Sequence, residues 1–143
     1  MASDNNDNGH RLPGWDGVLG AALLGGIIAA VINVIVWVVV GQDIQVPNQG
    51  SSTDMMDLTL AMVAIASVVP AFFAGVIAKI AVHSAARAAL VISIMGVVGF
   101  VVSLGGPLTI EDAPTGDIDV LIVMHVVATG AIIGLLIRRY RVA

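Results

Sequence analysis

The chain has no cysteine among its 143 residues. That excludes disulfides, thiolate metal sites, a cysteine nucleophile and a lipid-modified cysteine anchor. Charge is scarce too. Asp, Glu, Lys and Arg make up 11% of the residues, against about a quarter in ordinary soluble domains. Aromatic residues stand at 4%. Aliphatic and small residues fill the space: 58% of the chain is hydrophobic, glycine occurs 16 times, and mean hydropathy is +1.01. This composition points to a membrane protein of one domain. Glycine fits that reading, because membrane helices carry it more often than soluble ones.

Four stretches contain no Asp, Glu, Lys or Arg: 18–42, 58–78, 88–110 and 120–137. Each is close to the roughly 20 residues that cross about 30 Å of hydrocarbon. Backbone groups must be satisfied internally there, so each stretch is read as a transmembrane helix. The expected fold is therefore all-α, a four-helix transmembrane bundle. A polar, disordered tail spans 1–17 and the membrane domain spans 18–138, with helices at about 18–40, 58–79, 87–105 and 118–138. A basic tail, 139–143, closes the chain. The start of the chain does not read as a signal peptide. Its basic region is weak, and the apolar run that follows is long enough to span.

The net charge of −4 says less than the placement of the charges. All six basic residues are Arg11, Lys79, Arg87, Arg138, Arg139 and Arg141. They precede the first span, bracket the second loop or follow the fourth span. The other two loops carry Asp43, Asp54, Asp57, Glu111, Asp112, Asp117 and Asp119 instead. The positive-inside rule then places both termini and the 80–87 loop in the cytoplasm, with the chain in the cell membrane. An even number of spans agrees with that. Trp15 and Tyr140 are expected at the inner interface and Trp37 near the outer one.

Small residues mark helix contacts in lipid. The first span carries Ala22, Gly26, Ala29, Ala30, Asn33 and Trp37 on one face, with Leu24, Val31, Ile35 and Val38 on the other. The second carries Ala61, Ala64, Ser67, Ala71, Ala74 and Ala78, and the third Ala89, Ser93, Gly96, Gly99 and Ser103. Steps of three and four keep each set on one side of its helix. These stripes are expected to share one closely packed bundle, with the bulky aliphatics facing lipid. Pro70 lacks a backbone donor and is expected to kink the second span. Gly130 and Gly134 form a GxxxG pair lying nearly opposite His125 and Thr129. One face of the fourth helix then packs inside the bundle, and the other is free for a second subunit.

Asn33 and His125 are the most polar side chains within the spans. Each is about seven residues from the outer end of its helix, which sets both roughly 10 Å below the outer surface. Two readings stay open. In one, Asn33 and His125 hydrogen-bond across a contact between the first and fourth helices, with Thr129 nearby; an imidazole offers a donor and an acceptor to an amide. In the other, His125 handles protons, since intramembrane ionisable groups are functional candidates. A coupled relay wants a carboxylate or a second histidine at that depth, and neither is present. A metal site lacks ligands as well, because His10 and His83 fall on the cytoplasmic side.

The outer loop EDAPTGDID does not have the ligand spacing of an EF-hand. It reads as a solvated loop whose Asp117 and Asp119 favour a helix start, and PNQGSSTDMMD reads the same way before the second helix. RRYR at the C-terminus orients the chain and meets anionic head groups. No phosphate-binding loop, zinc-protease motif or nucleophile elbow occurs. The hairpins 18–79 and 87–138 show no sequence echo that would support a repeat transporter.

VPAFFAGVIAKI in the second span, Arg87 opening the third, SLGGPL at its end and MHVVATGAIIGLLI in the fourth resemble the bacterial membrane proteins grouped as DUF6069. The resemblance covers about 18–138. The pair Met124–His125 after an acidic loop is its most specific part. It implies a small four-helix protein and places His125 in a family pattern. It supplies no activity.

The function expected is non-enzymatic: an accessory or membrane-organising subunit that acts through packing. The alternative is a small oligomeric transporter or channel with Asn33, Ser67, Pro70, Ser93, His125 and Thr129 along a polar path. The expected partners are the lipid bilayer and either further copies of the chain or another membrane protein. No cofactor, metal or nucleic-acid partner is expected.

Overall fold

The computed structural model describes residues 12–40, 43–47, 55–108 and 115–143. Among these it contains the helices α1 (Trp15–Val40), α2 (Leu60–Ala81), α3 (Ala85–Leu108) and α4 (Thr115–Arg141), all long and apolar enough to cross a membrane. The fold is thus an all-α transmembrane four-helix bundle. Asp16 and Asp117 sit in the first turns of α1 and α4, where the helix dipole favours a negative charge. Arg138, Arg139 and Arg141 sit in the last turn of α4, where it favours a positive one. Thr59 caps α2, its hydroxyl accepting from the Met62 N–H at 3.3 Å.

Helix bounds differ from the sequence expectation by a few residues. α1 begins at Trp15, so the tail expected over 1–17 gives way to helix three residues sooner. Residues 1–11 of that tail, and Glu111 and Asp112 of the outer loop, lie outside the described residues.

The loop between α1 and α2 holds a short β-ribbon that the sequence pattern does not announce. β1 (Gln45–Pro47) pairs antiparallel with β2 (Met55–Asp57), Val46 opposite Met56. Flanking bonds extend it and fix it to α4. The Leu58 N–H donates to the Ile44 carbonyl at 2.7 Å, and the Gln45 N–H donates to Asp117 Oδ2 at 3.1 Å. Asp117 therefore holds the ribbon as well as starting α4.

The helices do not pack equally. α1 lies between α2 and α4 and makes extensive contact with both. α3 packs on α4 and barely touches α2, although only residues 82–84 separate the two in sequence. The buried face of α1 is Val18, Ala22, Gly25, Gly26, Ala29 and Asn33, while Leu24, Val31, Ile35 and Val38 are exposed toward the surrounding hydrocarbon. Close approach explains the glycines. A Cβ on Gly25 would lie 2.7 Å from the Ile132 Cα of α4, and one on Gly26 would lie 2.6 Å from the Ala71 Cβ of α2. Real Cβ atoms do not tolerate such distances, so α1 reaches both neighbours because these residues are glycine.

The core has two parts. Toward the end that carries the termini, Val18, Ala22, Ala78, Ile92, Leu136 and Tyr140 cluster. Toward the ribbon, Ile44, Leu58, Val63, Leu121 and Met124 do so, with Trp37 against them. Neither Trp37 nor Tyr140 is a simple interfacial anchor. Trp37 donates from Nε1 to the Leu58 carbonyl at 3.0 Å. Tyr140 is 4% exposed, and its hydroxyl donates to the Ala78 carbonyl at 3.2 Å, tying α4 to the end of α2. Lys79 Nζ donates to the Pro13 carbonyl at 2.7 Å, tying that same end of α2 to the segment before α1.

Candidate functional site

The two apolar clusters meet at a polar layer built on Asn33, which is 3% exposed. Its Nδ2 donates to Ser67 Oγ and to the Met124 carbonyl, each at 3.2 Å. Ser67, 2% exposed, donates from its hydroxyl to the Val63 carbonyl one turn back, at 2.9 Å. One amide thereby links three helices. The orientation of the amide follows from its partners: the Met124 carbonyl can only accept, so the nitrogen must face it. Both Nδ2 hydrogens are then used, and Asn33 Oδ1 is buried without a partner.

The expected bond between Asn33 and His125 is not made. The shared depth is real, since Asn33 reaches the carbonyl of the residue just before His125. The histidine instead turns back along its own helix and engages the Leu121 carbonyl through Nδ1 at 2.7 Å. A carbonyl one turn earlier is always within reach of a helical side chain, and the across-helix partner must compete with it. Thr129 does not join the cluster either. It lines the clefts against α3, beside Gly96 and Phe100. Ser67 is the partner that the pairing argument missed. Its place in the small-residue stripe was legible, and its depth, together with a hydroxyl, was the available signal.

A cavity of about 80 Å³ adjoins this layer. Asn33, Ser67, Ala66, Met124, His125 and Ala128 contribute to its wall, with Leu58, Val63 and Leu121. It does not continue through the molecule. On the side toward the termini, Gly25 is pressed on Ile132, Gly26 on Ala71, and Gly75 on Ala22. Among the described residues no three of His, Asp and Glu gather as metal ligands would.

Pro70 does not interrupt α2, which is helical on both sides of it. It is exposed and lines a cleft of about 570 Å³ between α2 and α3, whose floor includes Thr129, Ile132 and Ile133 of α4. This cleft corrects the expectation of one compact bundle. The stripe on α3 does not face a shared core: Ser93 and Gly99 are exposed, and nothing from another helix among the described residues lies within 4 Å of a Cβ built on Gly99. The buried line on α3 is Ala88, Ile92 and Gly96, with Gly96 against Ile133. On α4, Gly130 and Gly134 also face open space. They border a second groove, of about 430 Å³, with Ser93, Gly96 and Val97 on its other wall. Ala30, expected in the packed stripe of α1, is half-buried beside it.

Four apolar spans held by glycine contacts and one buried amide define a small multi-pass membrane protein. Its family follows from the sequence. The model of a family of unknown function, DUF6069, matches residues 13–142, and the chain belongs to that family. No curated protein and no solved structure matches it.

Proposed function

We propose that the protein is a non-enzymatic accessory or membrane-organising subunit of the cell membrane, with both termini cytoplasmic. The distribution of basic residues supports that orientation. Against an enzyme, His125 is the one titratable residue in the four charge-free stretches. The single observation that carries the subunit reading is the state of Gly130 and Gly134. They line a groove with Ser93 and Gly96, and no part of the described residues covers them. Small residues in such a groove let a further transmembrane helix approach closely. That helix belongs either to another membrane protein or to a second copy of this chain.

The test is purification in a mild detergent followed by native mass spectrometry, comparing wild type with Gly130→Leu. A stoichiometric foreign membrane protein, present in the wild type and lost in the variant, supports the subunit reading. A bare monomer in both samples overturns it.

The cavity beside Asn33 and His125 favours a second reading, a small oligomeric transporter or channel. Because close glycine contacts block that cavity on the side toward the termini, a path would have to run between copies. A defined homo-oligomer that conducts ions in planar bilayers would select this reading over the first.

A further inference from the structure

Three hydrogen-bond acceptors belong to residues that line the cavity between α2 and α4. The first is Asn33 Oδ1, buried without a partner on a residue that is 3% exposed. The second is His125. Its Nδ1 lies 2.7 Å from the Leu121 carbonyl, which can only accept, so Nδ1 carries the hydrogen. In the neutral ring Nε2 then presents a lone pair. The third is the carbonyl of Ala66. Residue 70 would donate to it in a regular helix, but residue 70 is proline and has no N–H. Ala66, Asn33 and His125 all line the same cavity.

We propose that this cavity is a hydration site, occupied by water that donates to Asn33 Oδ1, to His125 Nε2 and to the Ala66 carbonyl. The occupant must be a donor, because all three groups are acceptors. It must be small, because the space is about 80 Å³. Liquid water takes about 30 Å³ per molecule, and a buried water needs two to four polar partners, so the site has room and partners for one or two. Ordered water is also a usual way to satisfy the carbonyl that a membrane-helix proline sets free. Pro70 and His125 thus serve one site, although 55 positions separate them in the chain. The site is distinct from the groove at Gly130 and stands whether or not a partner helix docks there.

Solid-state NMR of the full chain in phospholipid bilayers tests it, with 15N in the histidine rings and in the asparagine side chains. The His125 and Asn33 signals are assigned by their loss in His125→Gln and Asn33→Leu. We expect Nδ1 protonated, Nε2 bare, and magnetisation transfer from water to the His125 ring and to the Asn33 amide. Ala128→Leu fills the cavity without removing a polar group, and we expect it to abolish both transfers. Pro70→Ala returns a donor to Ala66 and should weaken them. A wild-type ring protonated at Nε2, or no water transfer to either group, overturns the proposal even if no variant folds. Undiminished transfer in a folded Ala128→Leu overturns it as well.

Discussion

Glycine sits on both sides of this molecule, in two opposite settings. On α1, Gly25 and Gly26 are buried against the backbone of α4 and against Ala71 and the backbone of α2. On the flank formed by α3 and α4, Gly99, Gly130 and Gly134 face nothing within 4 Å among the described residues. The sequence pattern is similar in the two places, a small residue every three or four positions. The difference shows that such a stripe records how closely a helix can be approached and leaves open what approaches it. Where the neighbour is in the same chain, the stripe becomes a seam. Where it is not, the stripe is a groove, and the chain is held together elsewhere.

Substitutions that add volume should separate the two settings most sharply. Gly25→Val drives a side chain into the Ile132 backbone and should cost about 1–3 kcal/mol or more, as overpacking does. Thermal unfolding in detergent micelles should show a clear loss for it and little change for Gly130→Val. Equal losses would mean that the groove is closed and that the contrast between the flanks is wrong.

The polar layer comes next in size. Asn33→Leu removes the bonds to Ser67 and to the Met124 carbonyl, and should cost about 1 kcal/mol, since hydrogen bonds between membrane helices are worth no more than that on average. The same melting experiment reads it. Ser67→Ala in the Asn33→Leu background should then add less than Ser67→Ala alone, because the two residues share a bond.

At the end that carries the termini, Tyr140→Phe removes one hydrogen bond to the Ala78 carbonyl and keeps the buried ring. A loss of about 0.5–1.5 kcal/mol is expected. The smallest effect belongs to the open flank. Gly99→Ala meets nothing within 4 Å and should leave unfolding within about 0.5 kcal/mol of wild type. A large loss there would show that α3 packs more tightly than its contacts indicate.

Several of these features are legible in the sequence. The inward face of α1 could be read because its small residues and its large aliphatics fall on opposite sides, and lipid exposure keeps that sorting simple. The depth of Asn33 and His125 followed from the helical rise. Their pairing did not follow, because depth fixes only one coordinate. Which way a ring turns depends on whether a partner across the contact is better than the carbonyl one turn back. The β-ribbon was hidden for a related reason: two three-residue strands carry too little pattern, and they form where Ile44, Leu58 and Asp117 hold them.

Composition and the spacing of charge determined, by themselves, that this chain crosses a membrane four times, because hydrocarbon admits only long uncharged helices whose backbone bonds are internal. They also marked the residues small enough for close contact. Only the tertiary structure decided which helix lies between which, that α3 leans mainly on α4, and that Ser67, Asn33 and His125 border one cavity. Those outcomes depend on the direction in which each helix leaves its short connection. That direction is set by contacts between residues far apart in sequence, which periodicity along one helix does not encode.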